Sequence, residues 1–209
     1  LFTASSEEAK IKLQAEMAGR RLDELKAVVE MVEPAAQKKD RVEKVMDNIQ
    51  DQLTIAAGRL PAIGDAAEPQ KAVAAARAVS EKAGQVEKAL AQVKGSLPDN
   101  LGDKLAQTAA VADKTGTKAL EIMVNNQDTG DLVGKKEILA KIGEKIATAK
   151  AEIKTIGEKA RQATSTAADK LGIMAVLIQD QSDKAQELLN QASESLNKEN
   201  APEALNTVK

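Results

Sequence analysis

The sequence predicts an all-α protein: an antiparallel helical bundle, or coiled coil, of five helices with a long C-terminal helix. Three observations carry this. Apolar residues recur in alternating steps of three and four along most of the chain. That spacing keeps them on one face of a helix and, sustained over several heptads, forms a coiled-coil seam. No segment alternates apolar and polar residues as a half-buried strand does. The 209 residues include one Phe, no Trp and no Tyr, so the core must be Ala, Leu, Ile, Val and Met. Such small side chains bury little apolar area each, at about 25 cal/mol per Å². Stability then has to come from helix length or from self-association.

Leu1–Ala4 is a short apolar lead. Ser5 and Glu8 have capping-box spacing, which starts a first helix over about 5–33. Its seam is Ile11, Ala15, Ala18, Leu22, Leu25, Val29 and Val32, and Pro34 ends it. A second helix spans about 35–60, opening at Pro34 or only near Asp40, where Asp40 and Glu43 repeat the capping spacing. Its seam is Val42, Val45, Ile49, Leu53, Ala56 and Leu60. Pro61-Ala-Ile-Gly64-Asp65 reads as a connector.

The third helix, 68–95, has Pro69 at its first position, where the missing N–H costs nothing. Its seam is Ala72, Ala75, Val79, Ala83, Val86, Leu90 and Val93. Gly95-Ser-Leu-Pro98 closes it. The fourth, 98–125, follows Leu101, Leu105, Ala109, Ala112, Ala119 and Met123, with Thr115-Gly116-Thr117 as an interruption.

The longest regular stretch is 135–198. Leu139, Ile142, Ile146, Ala149, Ile153 and Ile156 lead into a run of alanines. The beat then slips by four and resumes at Leu171, Met174, Ile178, Ala185, Leu188 and Ala192. A four-residue slip is a stutter, which unwinds a supercoil locally without ending the helix. The preferred expectation is one continuous helix of roughly 90 Å at 1.5 Å per residue. A break near Thr164–Gly172 would instead give six helices of similar length. Helices over 5–198 form one bundle in this reading, and 199–209, with Pro202, is a tail of no more than a turn or two.

Composition narrows function mainly by exclusion. The formal net charge is −2 and there is no His and no Cys. No concentrated basic face exists for nucleic acid. Disulfides and thiolate chemistry are impossible, and His-based triads or zinc sites lose their usual groups. No cofactor, no metal and no catalytic residue is predicted, so the chain reads as a non-enzyme. No run of about 20 apolar residues predicts membrane insertion.

Several motifs invite chemistry and lose to plainer readings. Asn125–Asp131 has turn residues like a calcium loop, but Lys136 stands where a bidentate Glu is needed. Gly130-Asp-Leu-Val-Gly134-Lys135-Lys136 resembles a phosphate loop that is one residue short and follows no strand. Arg20 and Arg21 form the densest arginine pair, a weak candidate anion contact, with Glu16 and Glu24 nearby as plainer ion-pair partners.

Ile-Gly-Glu-Lys occurs at Ile142–Lys145 and again at Ile156–Lys159, two heptads apart. Gly143 and Gly157 each cost about 1 kcal/mol in a helix interior. Their repetition predicts close approach of another helix or another subunit. Leu1 and Phe2, an apolar end with the sole aromatic, are further candidates for self-association.

The sequence thus favours a non-enzymatic structural or protein-interaction module whose partner is a second copy or another helical protein. Leu1 in place of an initiator Met suggests a processed product or a fragment, hence an extracytoplasmic location, secreted, on the cell surface or periplasmic. The alternative is the ligand-sensing ectodomain of a chemoreceptor-type membrane protein. A reversible lipid binder ranks last, since these apolar faces are narrow and lack aromatics. The heptad pattern alone is shared by unrelated proteins and ties the chain to no family.

Overall fold

The computed structural model describes residues 6–32, 34–64, 68–97, 99–126, 132–166 and 170–208. Among them every regular element is helical and none is a strand, and the helices pack against one another. The chain divides into two compact units, Leu1–Asp128 and Thr129–Lys209, whereas the seams alone suggest one bundle over 5–198.

In the first unit, α1 spans Glu7–Glu30. Its N-cap is Ser6, whose hydroxyl accepts from the Ala9 N–H at 3.2 Å, one residue past the expected box. Ser5 lies outside the described residues. Ile11, Ala15, Ala18, Leu22 and Leu25 are buried as the seam requires, and Val28 joins them, with Val29 half-buried against the same core. Val32 leaves the seam altogether. The backbone turns extended at Met31, and Val32 stands in solvent.

Helix α2, Ala35–Arg59, takes the earlier of its two possible starts, with Pro34 as N-cap residue. All six of its seam residues are buried. The Pro61–Gly64 connector forms a single helical turn, α3, that buries Ile63. Helix α4, Pro69–Val93, carries Pro at its first turn and buries all seven seam residues. Two 3₁₀ turns, Lys94–Ser96 and Asp99–Leu101, lead into α5, Gly102–Asn125. Thus the fourth helix begins later than 98, and it runs through Thr115-Gly116-Thr117 without the expected interruption. Thr115 and Gly116 face inward, and the Thr115 hydroxyl donates to the Leu53 carbonyl at 3.5 Å. Small residues there let α5 lie close on α2, so the sequence feature that suggests a break is a packing contact.

Helices α1 and α2 are antiparallel. The Arg59 guanidinium, at the end of α2, reaches Glu7 at the start of α1 at 2.9 Å. Helices α4 and α5 form a second hairpin. The two hairpins lie side by side with α1 along α4 and α2 along α5, while α2 and α4 barely touch. Both side-by-side contacts are parallel. Lys104 and Thr108 of α5 meet Asp47 and Gln50 of α2, and Thr115 meets Leu53, so the two series rise together. Leu25, Met46, Ile49, Leu53, Leu90 and Leu101 lie in the shared core, each fully buried.

The second unit corrects the expected long C-terminal helix. Residues 135–198 are not one rod. Helix α6, Leu132–Thr166, and α7, Lys170–Asn197, pack on each other as an antiparallel hairpin. The Ser182 hydroxyl donates to the Ile153 carbonyl, and Leu196 lies beside Gly143. Residues 167–169 lie outside the described residues. The physical reason is burial. A lone rod leaves its apolar residues in water, whereas the hairpin lets Leu189 and Ala192 of α7 share a core with Ile138, Ile142 and Ile146 of α6. Thr164, Ser165 and Thr166, poor helix formers, precede the reversal.

Ile138, Ile142, Ile146, Leu189 and Ala192 form the buried part of this hairpin. The tail holds about two helical turns. Helix α8, Ala201–Val208, folds back and buries Ala201, Ala204 and Leu205 against α7 and α6. The reversal is a Schellman motif. The Asn200 N–H donates to the Ser195 carbonyl and the Glu199 N–H to the Leu196 carbonyl, both at 2.9 Å. Glu199 takes φ 56° at the position glycine usually fills.

Candidate functional site

The repeated glycines sit where α6 meets α7. A Cβ added at Gly143 would stand 3.3 Å from Leu196 Cδ2, and one at Gly157 would stand 3.1 Å from Ser182 Oγ. The close neighbour at both positions is a helix of the same chain. Around Gly157 a cleft of about 420 Å³ opens between α6 and α7, lined by Lys150, Ile153, Gly157, Gln179, Ser182 and Asp183 among others. Its polar groups are mostly engaged locally. Lys150 donates to Ser193 Oγ at 2.7 Å, and Gln179 Nε2 donates to Asp183 at 2.8 Å. Gln179 Oε1 is closed off from solvent and accepts no hydrogen bond.

A second, smaller groove of about 260 Å³ runs between α1 and α4, with Gly19 in its floor and Lys26, Lys82 and Lys88 beside Asp23 in its lining. The stem of Lys82 lies 3.2 Å from where a Gly19 Cβ would be. Its ammonium donates to Gln85 at 3.0 Å. The period-of-seven reading passes over Gly19. The signal available for it is the run of small residues Ala15, Ala18 and Gly19 on one flank.

Of the two arginines, Arg21 pairs with Glu24 at 2.6 Å on the surface, and Arg20 is exposed beside it. Nothing converges on them to form an anion clamp among the described residues. Leu1 and Phe2 lie outside the described residues, as do residues 127–131 of the calcium-loop-like stretch. Lys135, from the phosphate-loop-like stretch, pairs with Glu199 and so ties the start of α6 to the α7–α8 reversal. That ammonium holds the Glu199 carboxyl below the usual carboxylate range.

The other shifted groups are also at helix ends. Glu7 is lowered first by its hydrogen bond from Lys10 and then by Arg59. Glu8 is lowered by the Ser6 hydroxyl, and Lys71 is raised by Glu68. These are exposed pairs, which solvent screens heavily. The α8 contact is absent from the sequence reading. Its signal is Asn200-Ala-Pro-Glu203, a capping box with Pro in the first turn. In the structure the Asn200 amide donates to the Glu203 carboxylate at 2.7 Å.

Large apolar residues remain in solvent in both units. Leu13 and Ile55 are exposed in the first, and Ile156, Ile178 and Leu188 in the second. Ile156, although a seam residue by spacing, yields the inward position to Gly157. Among the described residues no group of three or more potential ligands is placed to hold a metal ion, and no helix is long and apolar enough to cross a membrane. Comparison with known families, with characterised proteins and with solved structures finds no match.

Proposed function

We propose that this chain is a non-enzymatic structural or protein-interaction module. It works as an antiparallel helical bundle of coiled-coil character, secreted or surface-exposed, that associates with itself or with another helical protein. The observation carrying this reading is how the chain distributes its apolar residues. Most heptad positions of the first unit are spent on helix-to-helix burial, while three in the second, Ile156, Ile178 and Leu188, face outward on long helices. In the two grooves described, Lys150, Gln179 and Lys82 already bond to neighbours. Sedimentation equilibrium of the full chain tests the reading. A dimer or larger species is expected, and a monomer at every accessible concentration, together with no helical partner in cross-linking, counts against it.

A second reading, a ligand-sensing ectodomain, draws support from the α1/α4 groove. Lys26, Lys82 and Lys88 outnumber Asp23 there, which suits a small carboxylate, and a ligand bridging two helices biases their relative position. A thermal-shift screen against amino and organic acids separates the two. A stabilising hit lost in Lys82→Ala favours sensing, and silence across a broad panel removes it.

A further inference from the structure

We infer that the half of the α6/α7 hairpin remote from α8 is a self-association face, covered in solution by the same face of a second copy. The inference rests on the self-association reading above and assigns it a surface. Ile156, Ile178 and Leu188 are 52%, 41% and 50% exposed. At 3.6 residues per turn, Leu188 lies on the same flank of α7 as Ala192 and Ser195, four and seven residues on. Those two are buried, at the end of the hairpin where α8 folds back over both helices. The chain packs a helix of its own on α7 at that end, whereas Leu188 and Ile178, further from it, are exposed.

The charges on that flank name the occupant. Glu152 precedes Ile156 by four residues and Lys184 precedes Leu188 by four, so each borders the bare stripe on its own helix. The two lie at the same level of the hairpin, because their near neighbours Ile153 and Ser182 are hydrogen-bonded at 3.3 Å. A two-fold axis parallel to the hairpin, lying in the interface, lays α6 of one copy over α7 of the other. Glu152 then faces the partner's Lys184 twice, once on each side of the axis, over a centre made by the exposed isoleucines and leucines. An isologous contact of this kind repeats every favourable pairing and closes as a dimer. The alternative two-fold, α6 over α6, opposes like charges and loses the pairing. Lys184 already has Asp180 at 2.7 Å on its own helix, so the second carboxylate extends an existing surface ion pair rather than replacing water around a bare ammonium.

The test is sedimentation of the full chain, four single variants and one double variant, with far-UV circular dichroism to check helicity. The wild type is expected to dimerise. Ile156→Asp and Leu188→Asp are each expected to raise the dissociation constant at least about ten-fold. Glu152→Lys and Lys184→Glu are expected to weaken the dimer singly and, combined, to restore it to within about three-fold. The charge variants are at exposed positions, so they decide the matter even where an aspartate variant loses helicity. A wild-type dimer that survives every substitution, or a charge swap without rescue, overturns this face while leaving self-association intact. A wild type that never dimerises overturns both.

Discussion

The amide of Gln50 on α2 donates to the hydroxyl of Thr108 on α5 at 2.8 Å, and that hydroxyl donates in turn to the Lys104 carbonyl at 2.8 Å. Thr108 is fully buried, so the pair is a satisfied polar contact inside an aliphatic core. It fixes the parallel register of two helices that no short loop connects. Asp47 and Lys104 extend it by one turn.

Thr108→Val keeps the shape and removes the acceptor. It is expected to cost about 1 kcal/mol, because the half-buried Gln50 amide loses its partner. Adding Gln50→Leu is expected to return most of that loss, since both polar groups are then gone. Urea denaturation of the two single variants and the double gives the coupling directly. Additivity of the two changes sinks the idea that the pair acts as a unit.

Glycine positions separate empty space from close packing. Nothing lies within 4 Å of a Cβ built at Gly84, in the middle of α4. Gly84→Ala is expected to stabilise by about 1 kcal/mol through helix propensity. Gly157→Ala gains the same propensity but pushes on Ser182 Oγ, which holds the Ile153 carbonyl. Its gain is expected to be smaller, and Gly157→Leu, too large for Ser182 to yield to, is expected to destabilise. Thermal melts that rank Gly157→Ala above Gly84→Ala contradict the close approach.

Acid should loosen the ends of α1 and α2 first. Glu7 is held below its ordinary value by Lys10 and then Arg59, and Glu8 by the Ser6 hydroxyl. A carboxylate with a lowered folded value stabilises above its unfolded value, and that contribution fades as pH falls through the folded one. The loss is therefore expected below about pH 4.5, and Glu7→Gln should flatten the stability profile in that window. Added salt should shrink the difference at neutral pH. Denaturation midpoints at pH 3 and 6 for both proteins check it, and parallel profiles contradict it.

Glu199 offers a backbone test. Its φ of 56° is costly for a residue with a Cβ and free for glycine. Glu199→Gly and Glu199→Ala both delete the pair with Lys135, so comparing them isolates the backbone. The glycine variant is expected to melt higher by about 5 °C. Equal melting temperatures argue that the reversal into α8 does not hold this conformation in solution.

How much of this was legible beforehand varies by element. Every seam residue of α2 and α4 is buried, and Met46, Ala57, Ala76, Ser80 and Ala89 join them from the flanks of the same faces. In α1 the last seam position fails at Val32, since the chain turns extended three residues before Pro34. Gly143 and Gly157 stand out as a repeat, but periodicity cannot say whether the neighbour at such a glycine is another chain or the same one folded back. Arg20 and Arg21 stand out by density alone, and density does not bring a third group to them.

The sequence by itself determined that the chain is helical, where most of its helices run, and which face of each is apolar, because those properties follow from local spacing at 3.6 residues per turn. The sequence allowed a break near Thr164–Gly172, but tertiary structure decided that 135–198 doubles back there, that α1 lies parallel to α4 and α2 to α5, and that the last eight helical residues close one end of a hairpin. Those outcomes depend on which stripe meets which, a competition between burial surfaces far apart in the chain. Alanine-rich stripes resemble one another too closely for spacing to choose among them. Contacts such as Gln50 with Thr108 and Ser182 with Ile153 make the choice.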